Sequence, residues 1–118
     1  MRNFKKLKIW QNAMEIAASI YNLTDSFPET ERFGLSSQMR RSAVSVSSNI
    51  AESSSRISEK DKSRFMQMAL GSLFELETQI LISTKLNFID SQSSGIILDS
   101  VVEEQKMISG FIKQLSLS

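Results

Sequence analysis

The chain has no cysteine and no histidine. The first absence excludes disulfides and thiolate chemistry. The second removes the imidazole base and, with cysteine, the commonest ligands for zinc and non-haem iron. Carboxylates alone could hold Mg²⁺ or Ca²⁺, but no loop carries that ligand spacing. One proline and four glycines in 118 residues leave few breakers for long helices. Long apolar runs are missing too. None follows the basic start MRNFKKLKIW, and no later window reaches membrane-spanning length. A soluble, cytoplasmic chain with no membrane partner is therefore expected.

What is present is an ordinary globular composition, 41% hydrophobic and 23% charged, enough for one domain over residues 1–118 with a modest core. Net charge is only +1, yet it is unevenly placed. Residues 1–8 hold Arg2, Lys5, Lys6 and Lys8 with no acid, and residues 9–31 hold four acids with no base. Residues 32–64 hold seven bases against three acids, and residues 65–118 three against six. Two basic blocks are available to an anionic partner, although the whole chain is no polycation.

Apolar spacing predicts four helices, at about 4–24, 31–54, 59–86 and 95–115. In the first, Trp10, Ala13, Met14, Ala17, Ile20 and Tyr21 share a face, and Asp25-Ser26-Phe27-Pro28 stops it. In the second, Leu35, Met39, Ala43, Val46 and Ile50 form one stripe while Val44 and Ala51 point away from it. Arg41, Ser45, Ser48 and Glu52 line a polar flank. Two apolar sides suggest a helix gripped by two neighbours. Ser58 followed by Asp61 reads as a weak capping box for the third helix. The stretch from Asn87 to Ser94 reads as a loop. In the fourth helix Ile97, Val101, Ile108, Phe111, Ile112 and Leu115 face inward. There is no strand alternation, linker or internal repeat, and short connections favour an up-down-up-down bundle.

The third helix carries more apolar surface than one small bundle can bury. Phe65, Ala69, Leu73, Leu76 and Ile80 make its core face, and Met66, Leu70, Phe74 and Leu81 widen it. Met68, Ile82 and Leu86 lie on the far side. Together with Val44 and Ala51 they form the candidate interface of a homo-oligomer.

Catalytic constellations are missing. Ser42, Ser45, Ser47 and Ser48 have no nucleophile elbow and no histidine, so they read as small packing residues. Glu52, Glu75 and Glu77 lack the Glu-x-x-His pairs of a dinuclear centre. No metal, cofactor or small-molecule substrate is implied. Asn49, Glu52 and Glu77 read instead as buried structural polar groups, with Glu77 pairing Arg40 or Arg41. Arg40, Arg41, Arg56, Lys60, Lys62 and Arg64, with Lys5, Lys6 and Lys8, are the candidate phosphate-binding cations. Glu59 and Asp61 lie among them and favour a partly paired surface.

Several motifs in consistent order give the chain a likeness. Phe4, Leu7 and Trp10 are followed by Tyr21, Thr24, Phe27-Pro28 and Phe33-Gly34-Leu35. Then come Gln38-Met39-Arg40-Arg41, Ser48-Asn49-Ile50-Ala51-Glu52, Arg64-Phe65 and Ala69-Leu70-Gly71-Ser72-Leu73. Glu75-Leu76-Glu77-Thr78-Gln79 and Leu86-Asn87-Phe88-Ile89 complete the set. This resembles the bacterial four-helix-bundle proteins encoded in 23S rRNA intervening sequences. The resemblance implies an all-α, left-handed, antiparallel bundle assembling as a five-fold ring, with no enzymatic activity established. One departure is Ser53, where the family usually has glycine; the helix end there should be less sharp. A related branch, the accessory variability protein of diversity-generating retroelements, partners a reverse transcriptase and is strongly basic; this chain is nearly neutral.

The expected function is thus a non-enzymatic oligomeric scaffold binding RNA or an RNA-handling protein through basic surfaces. The alternative is a protein–protein adaptor with no nucleic-acid binding.

Overall fold

Residues 3–117 of the computed structural model are described here; Arg2 of the first basic block lies outside them. They form four α-helices: α1 (Lys8–Thr24), α2 (Leu35–Ser55), α3 (Glu59–Lys85) and α4 (Ser91–Ser116). Two short 3-10 turns, Phe4–Lys6 and Glu29–Glu31, precede α1 and α2, and no strand occurs among the described residues. The fold is all-α. At about 1.5 Å per residue the 27 residues of α3 nearly span the 45 Å long axis of the molecule.

Three helix starts differ from the sequence expectation, each for a local reason. The first helix is broken at Leu7, which is extended. Asn3 caps the short turn by accepting from the Lys5 N–H (3.2 Å), and the Phe4 ring packs edge-on against Trp10 at 5.3 Å. The second helix begins at Leu35 because Glu29–Glu31 closes its own 3-10 turn, and Glu31 reaches forward to accept from the Leu35 N–H (3.3 Å). The fourth begins at Ser91 rather than near Gly95. Asp90 caps it, accepting from the Ser93 N–H at 2.8 Å and the Ser93 hydroxyl at 2.9 Å. These bonds hold the Asp90 carboxyl below its ordinary range.

The corner between α3 and α4 is correspondingly short. Asn87 takes the left-handed conformation (φ 63°). Its N–H donates to the Thr84 carbonyl (3.0 Å) and the Phe88 N–H to that of Ser83 (2.9 Å), the paired closure of a Schellman motif. At the other end of α3, Ser58 caps by accepting from Asp61 N–H, as the spacing predicts.

Serines hold the helices together at close range. Ser53 Oγ donates to the Lys62 carbonyl (2.8 Å), the Ser45 and Ser72 hydroxyls meet at 2.9 Å, and Ser83 Oγ lies 3.3 Å from the Met39 sulfur. Along these three pairs residue numbers fall on α2 as they rise on α3. The same inversion relates Thr84–Ser94 (2.8 Å) and Glu77–Gln105 (2.7 Å) on α3 and α4. α1 packs on α2 and, less extensively, on α4. α2 runs on to Ser55, past Ser53, whose hydroxyl is spent on the α3 backbone.

The core takes Met39, Ala43, Val46 and Ile50 from α2, as the stripe predicts. On α1 the buried stripe is instead Ile9, Ala13, Ile16 and Ile20, rotated from the expected face, and Met14 and Tyr21 are exposed. On α3, Met66, Ala69, Leu73, Leu76 and Ile80 are buried, whereas Phe74 and Leu81 stay half in water.

Candidate nucleic-acid interface

Where the chain turns from α2 to α3, cations and carboxylates alternate within one helical turn of each other, so local pairing is available. Arg56 Nη2 meets Glu52 Oε2 at 2.7 Å, Lys62 Nζ meets Glu59 Oε1 at 3.5 Å, and Arg64 Nε meets Asp61 Oδ1 at 3.8 Å. The Phe65 ring lies between two guanidiniums, those of Arg56 and Arg64, each 4.5 Å from its centroid. Among the four cations predicted here, Lys60 alone has no carboxylate partner among the described residues. The turn therefore projects far less field than its base count suggests.

Lys5, Lys6 and Lys8 are all exposed and form no ion pair among the described residues. They sit on the first 3-10 turn and at the start of α1, and that turn packs against α2.

The adjacent arginines of α2 part company. Arg40 Nε donates to Thr24 Oγ1 (2.8 Å), and its Nη2 donates to Asp25 Oδ1 (3.0 Å) and the Tyr21 carbonyl (3.4 Å). The guanidinium stacks on Tyr21 at 4.7 Å. Arg41 is exposed and has no ion-pair partner among the described residues. A cleft of about 460 Å³ opens beside them. Arg32, Arg40 and Arg41 line it together with Tyr21, Phe33, Ser37 and Val44, and no carboxylate does. Sequence reading missed Arg32, Tyr21 and Phe33, because they come from α1 and the loop before α2 and share no helix face.

The expected pairing of Glu77 with Arg40 or Arg41 is not found. Glu77, half-buried, accepts from Gln105 Nε2 at 2.7 Å, since α4 packs against that side of α3. Glu52 is not buried in the single chain either; half of its side chain is exposed and it faces Arg56 across one turn. Asn49 is half-buried and spends its amide locally, on the carbonyl (2.9 Å) and hydroxyl (3.0 Å) of Ser45. The fully buried carboxyl is Glu104, on the core stripe of α4 with Val101 and Ile108. Neither oxygen has a hydrogen-bond partner among the described residues, and burial pushes its pKa up from 4.5 to about 8. No group of acids among the described residues could hold a metal ion, and no described helix is long and apolar enough to cross a membrane.

The 23S rRNA-intervening sequence protein family matches residues 5–110. The chain belongs to this family. A solved structure from Bacteroides thetaiotaomicron, described as a protein with unknown function from the S23 ribosomal protein family, superposes with a TM-score of 0.81 at 24% identity. The alignment covers 89% of this chain and 98% of that one, so the two share the fold. No curated protein matches the chain.

The family match spans both arginine clusters and all of α3. Met68 (47% exposed) and Ile82 (44%) on α3, and Leu86 (53%) at its C-cap, stand clear of the core. Val44 is 42% exposed and Ala51 partly covered on the outer side of α2.

Proposed function

We propose that this protein is a non-enzymatic scaffold: an antiparallel, left-handed, up-down-up-down bundle whose copies join into a ring and bind RNA in the bacterial cytoplasm. The observation that carries this reading is the exposure of Met68 and Ile82 on α3 and of Leu86 just after it, about half in water while the opposite side of the helix is buried. A ring needs two different faces on each copy, since its contacts are heterologous. The α3 side chains supply one face and Ala51 with Val44 supplies the other, so the arginine cleft that Val44 also lines opens beside that contact. Five copies is the number the family resemblance implies. RNA is held by cations without carboxylate partners, namely Lys5, Lys6, Lys8, Lys60 and Arg41, repeated around the ring. Arg40, Arg56, Lys62 and Arg64 contribute to a lesser degree, because a phosphate must first displace their present partners. Each contact is weak, and repetition raises the combined affinity.

Native mass and RNA titration on one preparation test this. The expected result is a mass of several copies and an affinity for a structured RNA fragment that falls steeply with salt. Met68→Glu or Ile82→Glu should lower the mass and the RNA affinity together. A wild-type monomer would sink the ring. An intact ring that ignores RNA would make the protein an adaptor for another protein.

A further inference from the structure

The cleft at the α1–α2 corner brings exposed aromatic rings and guanidiniums together. Phe33 is 88% exposed and Tyr21 44% exposed, so both rings offer a face to solvent. Three guanidiniums surround them, and the acids that engage two of these, Asp25 and Glu29, do not line this cleft. Arg40 is fixed by its bonds to Thr24 and Asp25, and it stacks on Tyr21 and holds that ring in place. Arg32 lies over Phe33 at 5.3 Å with its side chain 68% exposed, and Arg41 is exposed with no ion pair among the described residues. A large aromatic ring left in water is costly unless something covers it.

We propose that this cleft holds an unpaired RNA nucleotide, its base stacked on Phe33 and Tyr21 and its phosphate against Arg41 and Arg32. Planar rings flanked by cations are the recognition chemistry of single-stranded nucleic acid, because every base has a π-face. A duplex hides its bases and meets only the cations. The cleft therefore selects single strands within the RNA-binding reading above, on which this inference rests. The α2–α3 turn has an aromatic ring as well, but two guanidiniums already cover Phe65 there.

The test is fluorescence anisotropy of the full chain with a labelled short oligouridylate and with an RNA duplex of equal length. The single strand should bind at least about ten-fold tighter. Phe33→Ala should weaken it about ten-fold and leave duplex binding and the melting temperature unchanged. Phe33→Tyr should restore it, and Arg41→Ala should lower the salt slope for both RNAs by about 0.7–0.9. Equal binding of strand and duplex, insensitive to Phe33, would overturn the cleft while leaving the scaffold reading intact. No binding to either RNA would remove both. Phe33-dependent binding of an acidic peptide as tight as that of the oligouridylate, or a native mass that falls in Phe33→Ala with RNA binding unchanged, would reassign the cleft to protein contacts.

Discussion

The turn between α2 and α3 and the middle of α4 settle their charges in opposite ways. At the turn Arg56, Lys62 and Arg64 each have a carboxylate within 4 Å, in water. In α4 one carboxyl, Glu104, is enclosed and has no hydrogen-bond partner among the described residues. The turn looks busier, yet each of its exposed pairs contributes about 0–1 kcal/mol. The single silent group in the core outweighs them. Counting visible ion pairs therefore misranks the two regions.

The largest effect expected from this contrast is on pH. Glu104 is raised from 4.5 to about 8 by burial, so folding favours its protonated form. Stability should be full below about 4.5, decline as pH rises through that window, and level off beyond about 8. The total change is on the order of several kcal/mol. Denaturant melts across this range should lose most of their slope in Glu104→Gln. A wild-type profile already flat there would mean that the carboxyl has a partner or is solvated.

Next in size, Glu104→Leu at neutral pH should stabilise the fold by about 1–4 kcal/mol, since an apolar side chain needs no partner. A lower melting temperature would instead reveal a structural bond to that carboxyl. At the turn, Arg56→Ala loses an exposed pair and one side of the Phe65 stack, and should cost only about 0.5–1.5 kcal/mol. A cost as large as the gain in Glu104→Leu would erase the contrast. Smallest is the effect of freeing the turn's cations. Glu59→Gln with Asp61→Asn should tighten RNA binding a few-fold and steepen its salt dependence, read by the same titration.

Much of the fold was legible because three- and four-residue spacing survives in α2 and in the buried half of α3. Met39, Ala43, Val46 and Ile50 lie where periodicity puts them. α1 was misphased because Met14 and Tyr21 are apolar by type while packing turns Ile9 and Ile16 inward; a single short helix offers too few residues to settle its phase. The start of α4 was missed because Asp-Ser-Gln-Ser reads equally as a loop or as a cap and first turn. The cations of the candidate interface were visible as residues but not as fields. Whether Arg56 faces Glu52 or water depends on rotamers that no spacing rule reports. The arginine–aromatic cleft was illegible for another reason: its residues converge only once α1 and α2 are packed. Glu104 did leave a trace, the unbroken polar run Glu103-Glu104-Gln105-Lys106 inside an otherwise striped helix.

That run has a consequence for how α4 is seated. Four successive polar residues exceed the 3.6 of one helical turn, so some polar side chain must point inward at that level whatever the rotation of the helix. The bonded corner at Asn87 and Asp90 sets the rotation. It turns Gln105 toward Glu77, leaves Glu103 and Lys106 in water, and sends Glu104 to the centre. A carboxyl can shed its charge by taking up one proton from solution. At neutral pH folding should therefore draw a proton onto Glu104, and the heat of folding should vary with the ionisation enthalpy of the buffer.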